Sequence, residues 1–142
     1  MHPARVRTAS YVIRSRPGGP ELLVFDHRDH PRAGTQVPAG GVEPGELLTE
    51  AALREVAEET GAAAVTLGAA LAVQQSPHPH TGEPQITVYF QARTRETRDD
   101  WMHTVTSLDE DRGMVFRCFF IPLERAAGLL AGDQGEFVGL VR

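Results

Sequence analysis

Between Gly40 and Ala62 the chain reads GGVEPGELLTEAALREVAEETGA. That run commits its middle to a turn, a helix and a stop in quick succession. Glu43-Pro44-Gly45-Glu46 places Pro and Gly at the two central positions of a tight turn. A helix is predicted from Leu47 to Thr60, and Gly61 ends it, as glycine does just past a helix terminus. Glu55 and Glu59 stand one turn apart, and Glu58 follows Glu55 by three residues. All fall on one arc of the helix, and Ala51, on the same arc, leaves the space before them open. Ala52, Leu53 and Val56 form the adjacent stripe, suited to packing on a core. Like charges at this spacing cost a helix about 0.2–0.5 kcal/mol per pair. Arg54, one turn after Glu50 and one before Glu58, offsets part of that. Such a face is either a solvated acidic surface or a seat for a hard cation such as magnesium, which prefers oxygen ligands and keeps several waters.

The stretch resembles the Nudix box, G-x5-E-x7-R-E-U-x-E-E-x-G-U, where U is apolar. Gly40, Glu46, Arg54, Glu55, Val56, Glu58, Glu59, Gly61 and Ala62 fill the defined positions, Ala62 being smaller than the aliphatic usual there. The resemblance implies an α/β fold, a Nudix-type α/β/α sandwich with a mixed β-sheet between helices, and hydrolysis of a diphosphate bond with Mg²⁺ or Mn²⁺. It implies metal ligation by Glu55, Glu58 and Glu59 and by the backbone carbonyl of Gly40. Arg54 is then expected to hold the glutamates by ion pairs, away from substrate, with Glu46 orienting Arg54 or a metal-bound water. Crowding should raise the carboxylate pKa values as a group. Glu55 is the first choice for general base. Glu110, flanked by Asp109 and Asp111 ahead of the Val115 strand, is the other, though an acidic turn there also reads as plain solvated surface; Glu83 is a poorer candidate.

At 142 residues the expected organisation is one domain, residues 1–142. No stretch is apolar enough for a bilayer span, and the N-terminus lacks a signal peptide's apolar run, so a cytoplasmic protein without membrane partners is expected. Cys118 is the single cysteine and has no intrachain disulfide partner. A net charge of −5 argues against general nucleic-acid binding. A small-molecule nucleotide is the expected partner, and the resemblance leaves room for a homodimer. The chain has no lysine, so a phosphate clamp must use arginine, whose planar fork suits oxyanions. Arg28 and Arg32, in the loop before the box, are the candidates for substrate binding.

Strands are predicted at Ala9–Arg14 and Glu21–Asp26, joined as a hairpin through Pro17-Gly18-Gly19-Pro20, and a short one at Thr35–Pro38. Beyond the box, Val65, Leu67, Ala69, Leu71 and Val73 alternate onto one face. The proline-rich loop from Ser76 to Pro84 precedes a strand at Ile86–Ala92. Arg93–Asp100 is a charged connection, and Trp101–Val105 is short and extended. Val115–Ile121 is apolar on both faces, as in a buried strand. Leu123–Leu130 is predicted as a closing helix.

His78-x-His80 and His103 read as solvated histidines or as ligands. Phe25, Tyr89 and Trp101 read as core or as a base-stacking surface. No G-x-S-x-G, P-loop or G-x-G-x-x-G motif occurs. Pro77 lies fifteen residues past Ala62, a spacing that resembles some ADP-ribose pyrophosphatases. The expected substrate is a nucleoside diphosphate linked to another group, ADP-ribose or a nucleotide sugar ahead of a nucleoside triphosphate. The competing class is a nucleotide-sensing domain without catalysis.

Overall fold

The computed structural model describes residues 4–107 and 111–142. Its strands are β1 (Arg5–Arg16), β2 (Gly19–His27), β3 (Ala39–Gly41), β4 (Val65–Pro77), β5 (Pro84–Thr94), β6 (Asp100–Thr104) and β7 (Val115–Pro122). Helix α1 (Leu48–Thr60) lies between β3 and β4, and the short α2 (Ala126–Leu129) follows β7. Together the strands form a seven-stranded sheet in the order β4-β5-β1-β2-β7-β6, with β3 paired to β1. β1 and β5 run parallel and the other pairings are antiparallel, so the sheet is mixed.

Alternation along the strands divides the core in two. Ala9, Tyr11 and Ile13 of β1 join Leu22 and Val24 of β2 on one face, covered by Ala126, Leu130 and Val138. Val12, Leu23 and Phe25 join Phe116 and Cys118 on the other, covered by Val56 of α1. Each fully buried aliphatic among them contributes about 1.5–3 kcal/mol. The sheet is therefore covered on both faces, the layering that the α/β/α expectation describes. β7 serves both clusters, as its apolar run requires: Cys118 faces α1 and Ile121 faces α2.

What places the box is a split along one edge of β1. Its last residues pair with β2, from Ile13↔Leu22 to Arg16↔Gly19. Its first residues pair with β3: Arg7↔Gly41, Thr8↔Gly40 and Ala9↔Ala39. The segment expected as a strand at Thr35–Pro38 threads this split with only isolated bridges, among them Phe25↔Gln36, and the strand proper starts at Ala39. Pro38 has no N–H to give a ladder, which explains the delay. After β3 the predicted turn forms, with Glu46 N–H donating to the Glu43 carbonyl at 3.0 Å and Gly45 at φ 78°.

Other elements depart from the sequence reading. The single face expected for Val65–Val73 is broken by two register shifts between Leu67 and Ala72, and Val73 is 67 % exposed. The closing helix is a 3-10 turn at Leu123–Arg125 followed by the single turn of α2. Leu53 is exposed, and the buried stripe of α1 is Ala51, Ala52, Val56 and Thr60 with Glu55 and Glu59. No helix among the described residues is long and apolar enough to cross a membrane.

Candidate active site

Helix α1 carries its acidic residues inward, toward β3. Glu55 is 3 % and Glu59 6 % exposed, so this is not the open carboxylate face expected from the sequence. Glu55 occupies the space that Gly40 leaves: a Cβ built on Gly40 would overlap the Glu55 carboxylate. Glu59 accepts the Ala39 N–H at 2.8 Å. Gly61 ends the helix in a left-handed conformation at φ 63°, with its N–H donating to Ala57 at 3.0 Å, as predicted.

Arg54 fastens these parts together. Its Nε and Nη2 donate to Glu46 at 2.7 and 2.9 Å. Nη1 donates to Glu55 at 2.8 Å and to Glu58 at 3.1 Å. Nη2 also donates to the Gly41 carbonyl at 2.9 Å. Arg54 therefore ties the turn, β3 and α1 into one unit, in the geometry expected of it. Glu46 in turn accepts the Glu43 N–H at 3.0 Å.

Glu59 shows the rise expected of crowded carboxylates, and Glu46 shows the opposite. Burial, and then the charge of Glu55, push the Glu59 carboxyl well above the usual carboxylate range, against the pull of the Ala39 N–H. The hydrogen bonds from Arg54 pull Glu46 down to about 2. Arg54 is held more firmly protonated than an ordinary arginine, chiefly by Glu46. Environment separates residues that a sequence can only group.

Among the described residues, no group of three or more His, Cys, Asp or Glu side chains converges to hold an ion. A divalent cation would have to complete its shell with main-chain and water oxygens, which is magnesium's habit. Within that scheme the donor set fits. Glu55 and Glu59 are buried carboxylates whose mutual repulsion a cation would relieve, and Gly40 leaves the space at Glu55. Thr8, paired with Gly40, is fully buried, and its hydroxyl has no hydrogen-bond partner among the described residues.

Beside this cluster lies a cavity of about 620 Å³, lined in part by Arg7, Ala39, Gln85, Tyr89, Asp133 and Gln134. Tyr89 stacks on Tyr11, and burial followed by the charge of Asp133 pushes its hydroxyl up to about 12, so it is a neutral donor. Pro77 and Pro79 belong to the same wall.

Several candidates lie elsewhere. Arg28 is exposed and pairs with Asp29 at 3.1 Å. Arg32 sits in an exposed 3-10 turn, Pro31–Ala33. Among the described residues, no hydrogen bond or ion pair joins either arginine to Gly40 or the helix glutamates. Glu110 lies outside the described residues. His78 caps the β4–β5 turn through Nδ1, which accepts the His80 and Thr81 N–H groups. His103 Nε2 lies 2.9 Å from the Glu58 carbonyl, and Trp101 Nε1 donates to Thr60 at 2.7 Å, so both brace the end of α1. Phe25 stacks on Phe116 in the core. The residue that sequence reasoning missed is Arg7. Its signal was the period-two run Arg5, Arg7, Ala9, Tyr11, which extends β1 toward the N-terminus.

Comparison with known proteins follows the same outline. A family profile described as "NUDIX domain" matches residues 4–139. An RNA pyrophosphohydrolase of Caulobacter vibrioides is 46 % identical over 56 residues, covering 39 % of this chain and 33 % of that protein. The chain thus spans about a third of that relative's length. An Ap4A hydrolase of C. elegans, in a binary complex, superimposes with a TM-score of 0.68 at 21 % identity, over 96 % of this chain and 93 % of that one. A putative NUDIX hydrolase of Listeria monocytogenes gives a TM-score of 0.70 at 18 % identity, over 98 % and 91 %. These likenesses fix the fold, and with a profile match running nearly end to end, the chain belongs to the Nudix hydrolase family.

Proposed function

We propose that this protein hydrolyses the diphosphate bond of a nucleoside diphosphate linked to another group, of the ADP-ribose or nucleotide-sugar type, with Mg²⁺ or Mn²⁺ as cofactor. Members of the family generally use divalent cations. The observation that carries the reading is the buried Glu55–Glu59 pair, with Glu55 set against Gly40 and clamped by Arg54 and Glu59 held by the Ala39 N–H. Glu55, Glu58, Glu59 and the Gly40 carbonyl would hold the ion. When bound, it neutralises phosphate oxygens and lowers the pKa of a coordinated water.

The rest is done by the chain. Glu55 accepts the proton of the attacking water at its carboxylate, and its hydrogen bond from Arg54 fixes its orientation. Arg54 is a positioning residue: it spends its donors on Glu46, Glu55, Glu58 and Gly41. The Ala39 N–H fixes Glu59. Glu110 remains the second candidate for proton acceptor. The cavity at Arg7 and Tyr89 receives the remainder of the substrate. The acidic chain, with one buried cysteine, fits a cytoplasmic enzyme for small-molecule nucleotides.

A second reading, RNA pyrophosphohydrolase, is favoured by the local match to the Caulobacter protein and opposed by the net charge of −5. The test is a panel of ADP-ribose, nucleotide sugars, nucleoside triphosphates and 5′-triphosphorylated RNA, with products identified in heavy-oxygen water. Glu55→Gln and Glu59→Gln should stay folded and lose about 10²- to 10⁴-fold in turnover. Undiminished turnover in both would refute the assignment.

A further inference from the structure

Arg7 is the unusual cation of this molecule. It projects from β1 between two different surroundings, the acid cluster and the cavity. Its ladder partners are Gly41 on one side and Thr87 on the other. Its guanidinium is partly buried, yet among the described residues it makes no hydrogen bond and no ion pair. Contrast Arg14, buried and satisfied by Glu21 at 2.7 Å and Asp99 at 2.9 Å. Contrast also Arg54, which engages carboxylates on both sides of its fork. Arg5, two residues earlier on the same strand face, lies against Gly41 and repels Arg7, while Glu59 and Glu55 attract it without a direct ion pair. A partly buried guanidinium with a like charge beside it and no acid in contact is costly unless an anion joins it.

The surroundings say which anion. Arg7 and Tyr89 line the same cavity, and so does Ala39, whose N–H holds Glu59. One end of the cavity therefore meets the acid cluster. Away from Arg7 the lining mixes small apolar residues and prolines with neutral polar ones, Gln36, Gln74, Gln85 and Gln134 among them, and a single carboxylate, Asp133. One cation beside amides and one carboxylate suits a phosphate followed by hydroxyl-rich or amino-bearing groups, as in a nucleoside. A volume of about 620 Å³ is in the usual range for a small-molecule site.

We propose that Arg7 grips a phosphate of a nucleoside diphosphate-linked substrate where the cavity meets Glu59, taking the role the sequence had offered to Arg28 and Arg32. The inference rests on the proposed hydrolase reading and names the side chain that binds its substrate. Arginine's fork can hold two phosphate oxygens at once, which lysine's single ammonium cannot.

The probe is α,β-methylene-ADP, a nucleoside diphosphate that resists hydrolysis, titrated by calorimetry into the full chain with Mg²⁺ present. Arg7→Met keeps the apolar stem and Arg7→Lys keeps the charge. Arg7→Met should weaken binding about 10- to 100-fold, with Arg7→Lys in between. In turnover, Arg7→Met should raise KM far more than it lowers kcat. Thermal stabilisation by Mg²⁺ alone should persist in both variants. If Arg7→Met fails to fold, Arg7→Lys carries the test, because it too must weaken binding measurably. Wild-type affinity in whichever variants fold overturns the proposal. So does a wild-type protein that Mg²⁺ stabilises but that does not bind the probe, and in that case the metal reading survives. If Mg²⁺ gives no stabilisation at all, the hydrolase reading falls first.

Discussion

Gly40 shows how a residue without a side chain can define a site. Its φ is not in the left-handed region, so the backbone there would accept alanine. What it cannot accept is volume, because the Glu55 carboxylate fills the place of the missing Cβ. Overpacking of this kind costs about 1–3 kcal/mol. Gly40→Ala should therefore lower the melting temperature modestly and cut turnover at least about tenfold, since the displaced group is the one proposed to take the proton. A thermal melt and a rate on the same sample check it. A variant that matches wild type in both would mean that Glu55 can work from another position. Arg7 and Arg54 make the complementary point. Arg54 spends its donors inside the protein and belongs to the scaffold. Among the described residues Arg7 donates to none, which is why the proposed phosphate contact falls to it.

Among the elements, what was legible in the sequence was local. The Pro44-Gly45 turn, the length of α1 and its stop at Gly61 depend on neighbours a few residues away, and all formed as read. The burial of Glu55 and Glu59 was not legible, because it comes from β3 and β1 folding over the helix. Helical spacing put the acids on one arc but not on which side of the molecule that arc lies. The charged connection after β5 taught the same lesson. Glu96 sits in a run of charges yet is 4 % exposed. It accepts the Ala63 N–H at 2.9 Å and two side-chain hydrogen bonds from Arg98, at 2.8 and 3.1 Å. Glu96 thereby ties this connection to the turn that follows α1. Its contact with Ala63 spans 33 positions of sequence, beyond any local pattern. The hydrogen bonds from Arg98 come first among the forces pulling its carboxyl down to about 2. A depressed carboxylate stabilises the fold above its unfolded pKa and stops doing so as pH falls through the folded one. Denaturant unfolding at several pH values should show Glu96→Gln less stable than wild type by about 2 kcal/mol near neutrality, with the gap closing between about pH 4.5 and 2. A gap independent of pH would mean that the carboxylate charge is not what binds these elements.

At the scale of the whole molecule, the mixed sheet keeps two cores apart while the box and its cavity gather at one end of β1. The split in which β1 pairs first with β3 and then with β2 brings Gly40 beside the carboxylates of α1. The fold class followed from the family resemblance and from strand alternation. The split did not, because register is set by pairings between distant segments. The central claim is that this arrangement captures a divalent ion, and melting curves test it most directly. Wild type and the Glu55→Gln/Glu59→Gln double variant would be heated with Mn²⁺, with Mg²⁺ and with EDTA. Either metal should raise the wild-type transition, by an amount equivalent to about 2.7 kcal/mol at a hundredfold excess over the dissociation constant, and the double variant should barely respond. Coincident wild-type curves with metal and with chelator would contradict it.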